Sequence, residues 1–125
     1  MKLFLKTLLV VCMLSTLSIA ANAMNDRVAL VTIRFNQQQV VYQNQLYSAV
    51  VEAVKVKPSV TFNVVGYAPV NNDSTKAAKL LENTQYYTNK VAADLAKIGV
   101  NPQQIRSSVE PSPEVATEEV RIFVE

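Results

Sequence analysis

The chain has 125 residues, with twelve basic and ten acidic side chains, five tyrosines, one cysteine and neither histidine nor tryptophan. No imidazole and a single thiol leave little with which to build nucleophilic, general-base or thiolate-metal chemistry. A formal charge of only +2 argues against nucleic acid, which asks for a concentrated basic face.

The first segment reads as a targeting signal. "MKLFLK" supplies Lys2 and Lys6, "TLLVVCMLSTLSIA" is an apolar core, and Ala21 and Ala23 are the small residues that a signal peptidase reads. The apolar run spans residues 7–21, shorter than the roughly 20 residues of a membrane-spanning helix. Cys12 follows Val11, not the small residue that precedes an acylated cysteine, and reads as ordinary signal-peptide filling. Residues 1–23 are therefore expected to be cleaved, leaving residues 24–125 as one domain without cysteine, histidine or a transmembrane segment. Export and the absence of cysteine point to a bacterial periplasm. Without Lys2 and Lys6 the remaining chain is neutral, but its acidic residues crowd toward the C-terminus at Glu110, Glu114, Glu118, Glu119 and Glu125.

"ALVTIRF" alternates Val31, Ile33 and Phe35 with more polar neighbours and predicts a half-buried strand. After the polar connector "NQQQ", residues 44–56 carry Leu46, Ala49, Val50, Ala53 and Val54 on one helical face, ended by Lys57 and Pro58. "SVTFNVVGY" predicts a second strand with Val60, Phe62 and Val64 on one side, closed by Gly66. A long helix is expected over residues 74–98, its apolar line running through Leu80, Thr84, Tyr87, Thr88, Val91 and Leu95. Asp73 or Ser74 is its N-cap and Gly99 its stop. "IRSSV" predicts a short third strand, and "EPSPEVATE" a loop that its prolines keep out of a sheet interior. "EVRIFVE" predicts a final strand with Val120, Ile122 and Val124 on one face, its charges guarding a sheet edge. The order βαβαββ predicts an α+β two-layer sandwich, with two helices on one face of a mixed sheet.

Candidate chemistry is thin. No catalytic group, cofactor site or metal site is expected: the serines have no activating partner, two glycines cannot form a phosphate loop, and "NNDS" lacks the carboxylate spacing of a calcium loop. Asn71, Asn72 and Asp73 read more simply as a turn and cap. Glu118 and Glu119 are neighbours on a strand and point to opposite faces. Tyr86 falls on the polar side of the long helix. It is either a lone surface aromatic or, with Tyr67, an anchor for a protein partner.

"KPSVTFNVVGY" and "VAADLAKIGVNPQQI", with a closing "V-x-I-x-V" strand, resemble the OmpA-like, peptidoglycan-associated C-terminal domain over residues 28–125. That family holds the diaminopimelate of cell-wall peptides with an aspartate in "G-H-T-D" and an arginine in "L-S-x-x-R-A-x-x-V". In this chain the resemblance puts Pro69 at the aspartate position and Tyr87 at the arginine position, while Glu118 and Glu119 replace the basic pair of "R-R-V-E-I". It thus implies a degenerate member lacking the wall-binding pair: a non-enzymatic structural subunit docked to envelope proteins near the outer membrane. The core complex of a type IV secretion system is one such setting. Tyr67, Tyr86, Glu118 and Glu119 are the candidate contacts. The alternative is a peptidoglycan-binding module with an altered pocket built from Asn71, Asn72 and Asp73.

Overall fold

A computed structural model of the protein describes residues 28–125, so the expected signal peptide lies outside the described residues. Strand β1 (Val31–Arg34), helix α1 (Gln43–Val56), strand β2 (Phe62–Pro69), helix α2 (Ser74–Lys97), strand β3 (Ile105–Ser112) and strand β4 (Glu119–Val124) follow in order. A single 3-10 turn, Pro102–Gln104, leads into β3. The sheet runs β1-β4-β2-β3. The last strand inserts between β1 and β2 and is antiparallel to both, while β2 and β3 are parallel and joined through α2. The two helices cover one face, α2 over β2 and β3, and α1 toward β1. This is the expected α+β two-layer sandwich.

The period-two pattern decides which side chains meet the helices. Phe62 and Val64 of β2, Val31 and Ile33 of β1, and Val120 and Ile122 of β4 turn inward against Leu46 and Val50 of α1 and Val91 and Leu95 of α2. Several of these are fully buried, each stabilising the fold by about 1.5–3 kcal/mol. Val124, expected on the same line, lies at the strand's end and is 40% exposed.

Helix α2 is bounded as its sequence implies. The Asp73 carboxylate accepts from the amides of Thr75 (2.9 Å) and Lys76 (3.2 Å), satisfying two donors of the first turn. At the other end Gly99 adopts φ +107°, its N–H donates to Ala96 O, and the Val100 N–H donates to Leu95 O. That pair of bonds is a Schellman termination, which needs a residue tolerant of positive φ.

Three local expectations are corrected. Gly66 does not close β2; the strand runs on to Pro69. The glycine is needed because α2 crosses here. A Cβ at Gly66 would lie 2.0 Å from Thr88 Oγ1 and 2.8 Å from Thr84 Cγ2. Both threonines are fully buried, and their hydroxyls donate back to Leu80 O and Thr84 O at 2.7 Å. Second, β3 does not stop at Val109 but takes in Glu110, Pro111 and Ser112. Thr61 and Glu125 exchange both backbone bonds (3.2 and 3.0 Å), so odd-numbered residues near this end of β2 face β4 and even-numbered ones face β3. In the parallel β2–β3 register this turns the amides of Arg106, Ser108, Glu110 and Ser112 inward, and those of Ile105, Ser107, Val109 and Pro111 outward. Pro111 thus sits where no donor is required. Third, β4 is an inner strand and not an edge, so its charges do not guard one.

Candidate functional site

The β1–α1 connector and α2 enclose an aromatic cluster. Phe35 leaves β1 and lies flat against Tyr87 of α2, with ring centres 4.1 Å apart and planes 6° apart. Tyr42, just ahead of α1, meets Phe35 edge-on at 6.1 Å, and Tyr86 meets Tyr87 edge-on at 5.8 Å. The two edge-on contacts have the T-shaped geometry favoured for aromatic pairs. Tyr42 is 2% exposed and its hydroxyl donates to Asp94 Oδ2 on α2. Burial first, then the hydrogen bond and charge of Asp94, hold its phenol well above the usual tyrosine range.

Beside this stack is a cavity of about 330 Å³, lined by Phe35, Gln37, Gln38, Gln39, Val40, Val41, Gln43, Tyr87 and Lys90. The lining offers an aromatic wall, glutamine amides and one cation, but no carboxylate. A zwitterionic amino-acid headgroup would find an ionic partner for its carboxylate at Lys90, but for its ammonium only neutral glutamine carbonyls and no anion.

The remaining residues singled out by sequence are dispersed. Pro69 is the last residue of β2, opposite Ser112. Asn71 and Asp73 form a turn in which Asn71 Oδ1 accepts from the Asp73 N–H (2.9 Å), and the Asp73 carboxylate is occupied by capping. Neither these two nor Asn72 borders the cavity. Tyr86 is 65% exposed. Tyr67 lies on the sheet face away from the helices, with the Arg121 guanidinium 4.9 Å from its ring centre. Glu118 is half-buried, and its carbonyl accepts from the Phe35 N–H (2.9 Å).

Glu119, expected among the exposed charges, is instead 4% exposed. Its Oε1 accepts from Arg34 Nε at 3.1 Å, and its Oε2 accepts from Arg121 Nε. With β4 flanked on both sides, Glu119 bridges to β1 while standing beside Tyr67 of β2, so it serves the sheet's interior. Sequence reading also missed Phe35 and Tyr42 as site residues. A signal existed for Tyr42, which lies four residues before Leu46 and so extends the apolar face of α1 back by one turn.

The strand order with its inserted last strand, and the two helices on one side, now allow comparison. The chain is similar to a solved structure, the OmpA-like domain of FopA1 from Francisella tularensis subsp. tularensis SCHU S4. The TM-score is 0.56 at 10% identity, covering 74% of this chain and 70% of that one. The fold is OmpA-like. No protein-family model matches the sequence. No curated protein is significantly similar to it. Among the described residues of this OmpA-like fold, no helix is long and apolar enough to cross a membrane. No group of three or more His, Cys, Asp or Glu stands close enough to hold a metal ion among them.

Proposed function

We propose that this chain is a non-enzymatic docking subunit of a cell-envelope assembly, resident in the periplasm and brought to the outer membrane by protein partners. In this reading it has lost the wall binding of its fold relatives. The observation that carries it is Tyr87. The resemblance assigns this position to the ligand-binding arginine, yet here the side chain is stacked on Phe35 and walls a cavity that contains no carboxylate.

Diaminopimelate presents an ammonium and a carboxylate together, and recognising both takes an anion and a cation in fixed relation. Removing one partner of a desolvated charge pair costs about 2–5 kcal/mol, and Pro69 with Tyr87 replaces both. Conversely, Tyr86 is an exposed aromatic supported edge-on by Tyr87, a preorganised anchor for a protein surface. A rigid module of this kind suits the core complex of a secretion system, for example of type IV.

The reading is tested by cross-linking and sizing in the native envelope. Tyr86→Ala is expected to shift the folded chain from a high-mass fraction to free protein. Retention of the variant in that fraction, together with wall binding lost on Asp73→Ala, would favour an altered wall-binding pocket instead.

A further inference from the structure

Strand β3 is the sheet's long edge: eight residues, paired on one side only. The backbone register leaves the N–H groups of Ser107 and Val109, and the C=O groups of Ile105, Ser107, Val109 and Pro111, pointing away from the sheet, while the Ile105 N–H donates to Pro102 O. On the face away from the helices β3 carries Arg106 and Glu110, both exposed. They stand four residues apart on one strand, a separation of about 13 Å, and no ion pair within the described residues engages either.

We propose that this edge pairs with the same edge of a second copy, antiparallel, about a two-fold axis through Ser108. The register follows from two conditions. Outward-facing backbone groups must meet each other, so odd-numbered residues must stand opposite odd-numbered ones. Opposite charges must also be brought together. Only centring on Ser108 meets both conditions: Arg106 stands across from Glu110 of the second copy, and Glu110 across from its Arg106. Centring on Ser107 or Val109 leaves both charges without a direct partner. Two reciprocal ion pairs then form at non-hydrogen-bonded positions, where facing side chains are closest. The Ser107–Val109 pairs exchange backbone bonds on either side of the axis, and Pro111 falls at the rim, opposite Ile105.

The helix layer accommodates this arrangement. Because α2 lies over both β2 and β3, its mate would run antiparallel at about 10 Å, the separation of packed helices. Tyr87 marks the flank of α2 that leans toward β1. At 100° per residue, the opposite flank carries Leu81, Gln85 and Ala92, and Leu81 is 37% exposed. The interface is isologous and closes on itself, giving a dimer with one continuous eight-stranded sheet. It uses neither Tyr86 nor the aromatic cavity and is independent of whether wall binding is retained.

Charge exchange tests the register. In sedimentation velocity the purified protein is expected to dimerise. Arg106→Glu or Glu110→Arg alone places like charges across both pairs and is expected to weaken association by at least about tenfold. The double variant Arg106→Glu/Glu110→Arg recreates both pairs with reversed sense and is expected to dimerise again, as is an equimolar mixture of the two single variants. Circular dichroism confirms that each variant is folded. A protein that stays monomeric throughout would overturn the proposal and leave the edge to an extended segment of another protein. A dimer indifferent to both single reversals would overturn it too.

Discussion

Tyr87 and Phe35 lie in parallel contact, 4.1 Å between ring centres, and join α2 to the end of β1 across 52 residues of sequence. The contact ties the helix layer to the edge strand beside the cavity lined by Tyr87 and Lys90. Tyr87→Ala is expected to lower unfolding free energy by about 2–3 kcal/mol, from lost burial and the lost stack, while far-ultraviolet circular dichroism stays unchanged. Urea denaturation measures it. A loss below about 0.5 kcal/mol, the range of surface substitutions, would mean the ring merely rests on the surface.

Gly66 tests the crossing of β2 and α2. An added methyl would meet the fully buried Thr88 and Thr84 side chains, and neither can retreat without breaking its hydroxyl bond or its rotamer. Gly66→Ala is expected to destabilise by about 3 kcal/mol or more. Pairing it with Thr88→Ala should recover part of that loss in a double-mutant cycle. Purely additive effects would show that the clash is relieved elsewhere.

Tyr42 gives the fold a limit at high pH. In the unfolded chain a tyrosine ionises near pH 10, whereas burial and Asp94 keep the folded phenol protonated well beyond that. Above about pH 10 the unfolded state therefore holds fewer protons than the native state, and stability falls as pH rises. The contribution is fully present below pH 10 and drains away above it. Denaturation midpoints measured from pH 8 to 11 should decline, and Tyr42→Phe should flatten the decline while costing stability at pH 8 through the lost bond to Asp94. An identical decline in the variant would assign the effect to other groups.

Glu119 is the one buried carboxylate among the described residues, held between Arg34 and Arg121. Glu119→Ala removes the shared anion and leaves Arg121, half-buried over Tyr67, without its partner. The expected loss is about 2 kcal/mol, less than for a fully buried pair because Arg34 is largely exposed. Arg34→Ala should cost well under 1 kcal/mol, roughly the range of exposed pairs. Thermal unfolding of both variants reads the contrast, and equal losses would contradict this division of roles.

Much of the fold was legible because its signals are local. The spacing of Leu46, Ala49, Val50 and Ala53 announced α1, Asp73 and Gly99 bracketed α2, and the alternation of Val120 and Ile122 announced β4. What was misread depends on partners distant in the chain. Gly66 looks like a stop after two valines, and only the approach of Thr84 and Thr88 shows why a strand needs it there. Pro111 looks like a strand breaker until strand order makes β3 an edge and turns its nitrogen outward. Glu119 looks like surface charge until Arg34, 85 positions earlier, is brought beside it. At the candidate site, position 87 could be singled out from motif spacing, but its partner Phe35 could not, since nothing local links a strand end to the middle of a remote helix.

Loss of wall binding is tested most directly by co-sedimentation of the purified protein with isolated peptidoglycan sacculi, beside an OmpA-like domain that retains the aspartate and arginine. The control is expected to pellet with the sacculi while this chain stays in the supernatant. Comparable pelleting of both would contradict that loss and leave wall binding to contacts other than the aspartate–arginine pair.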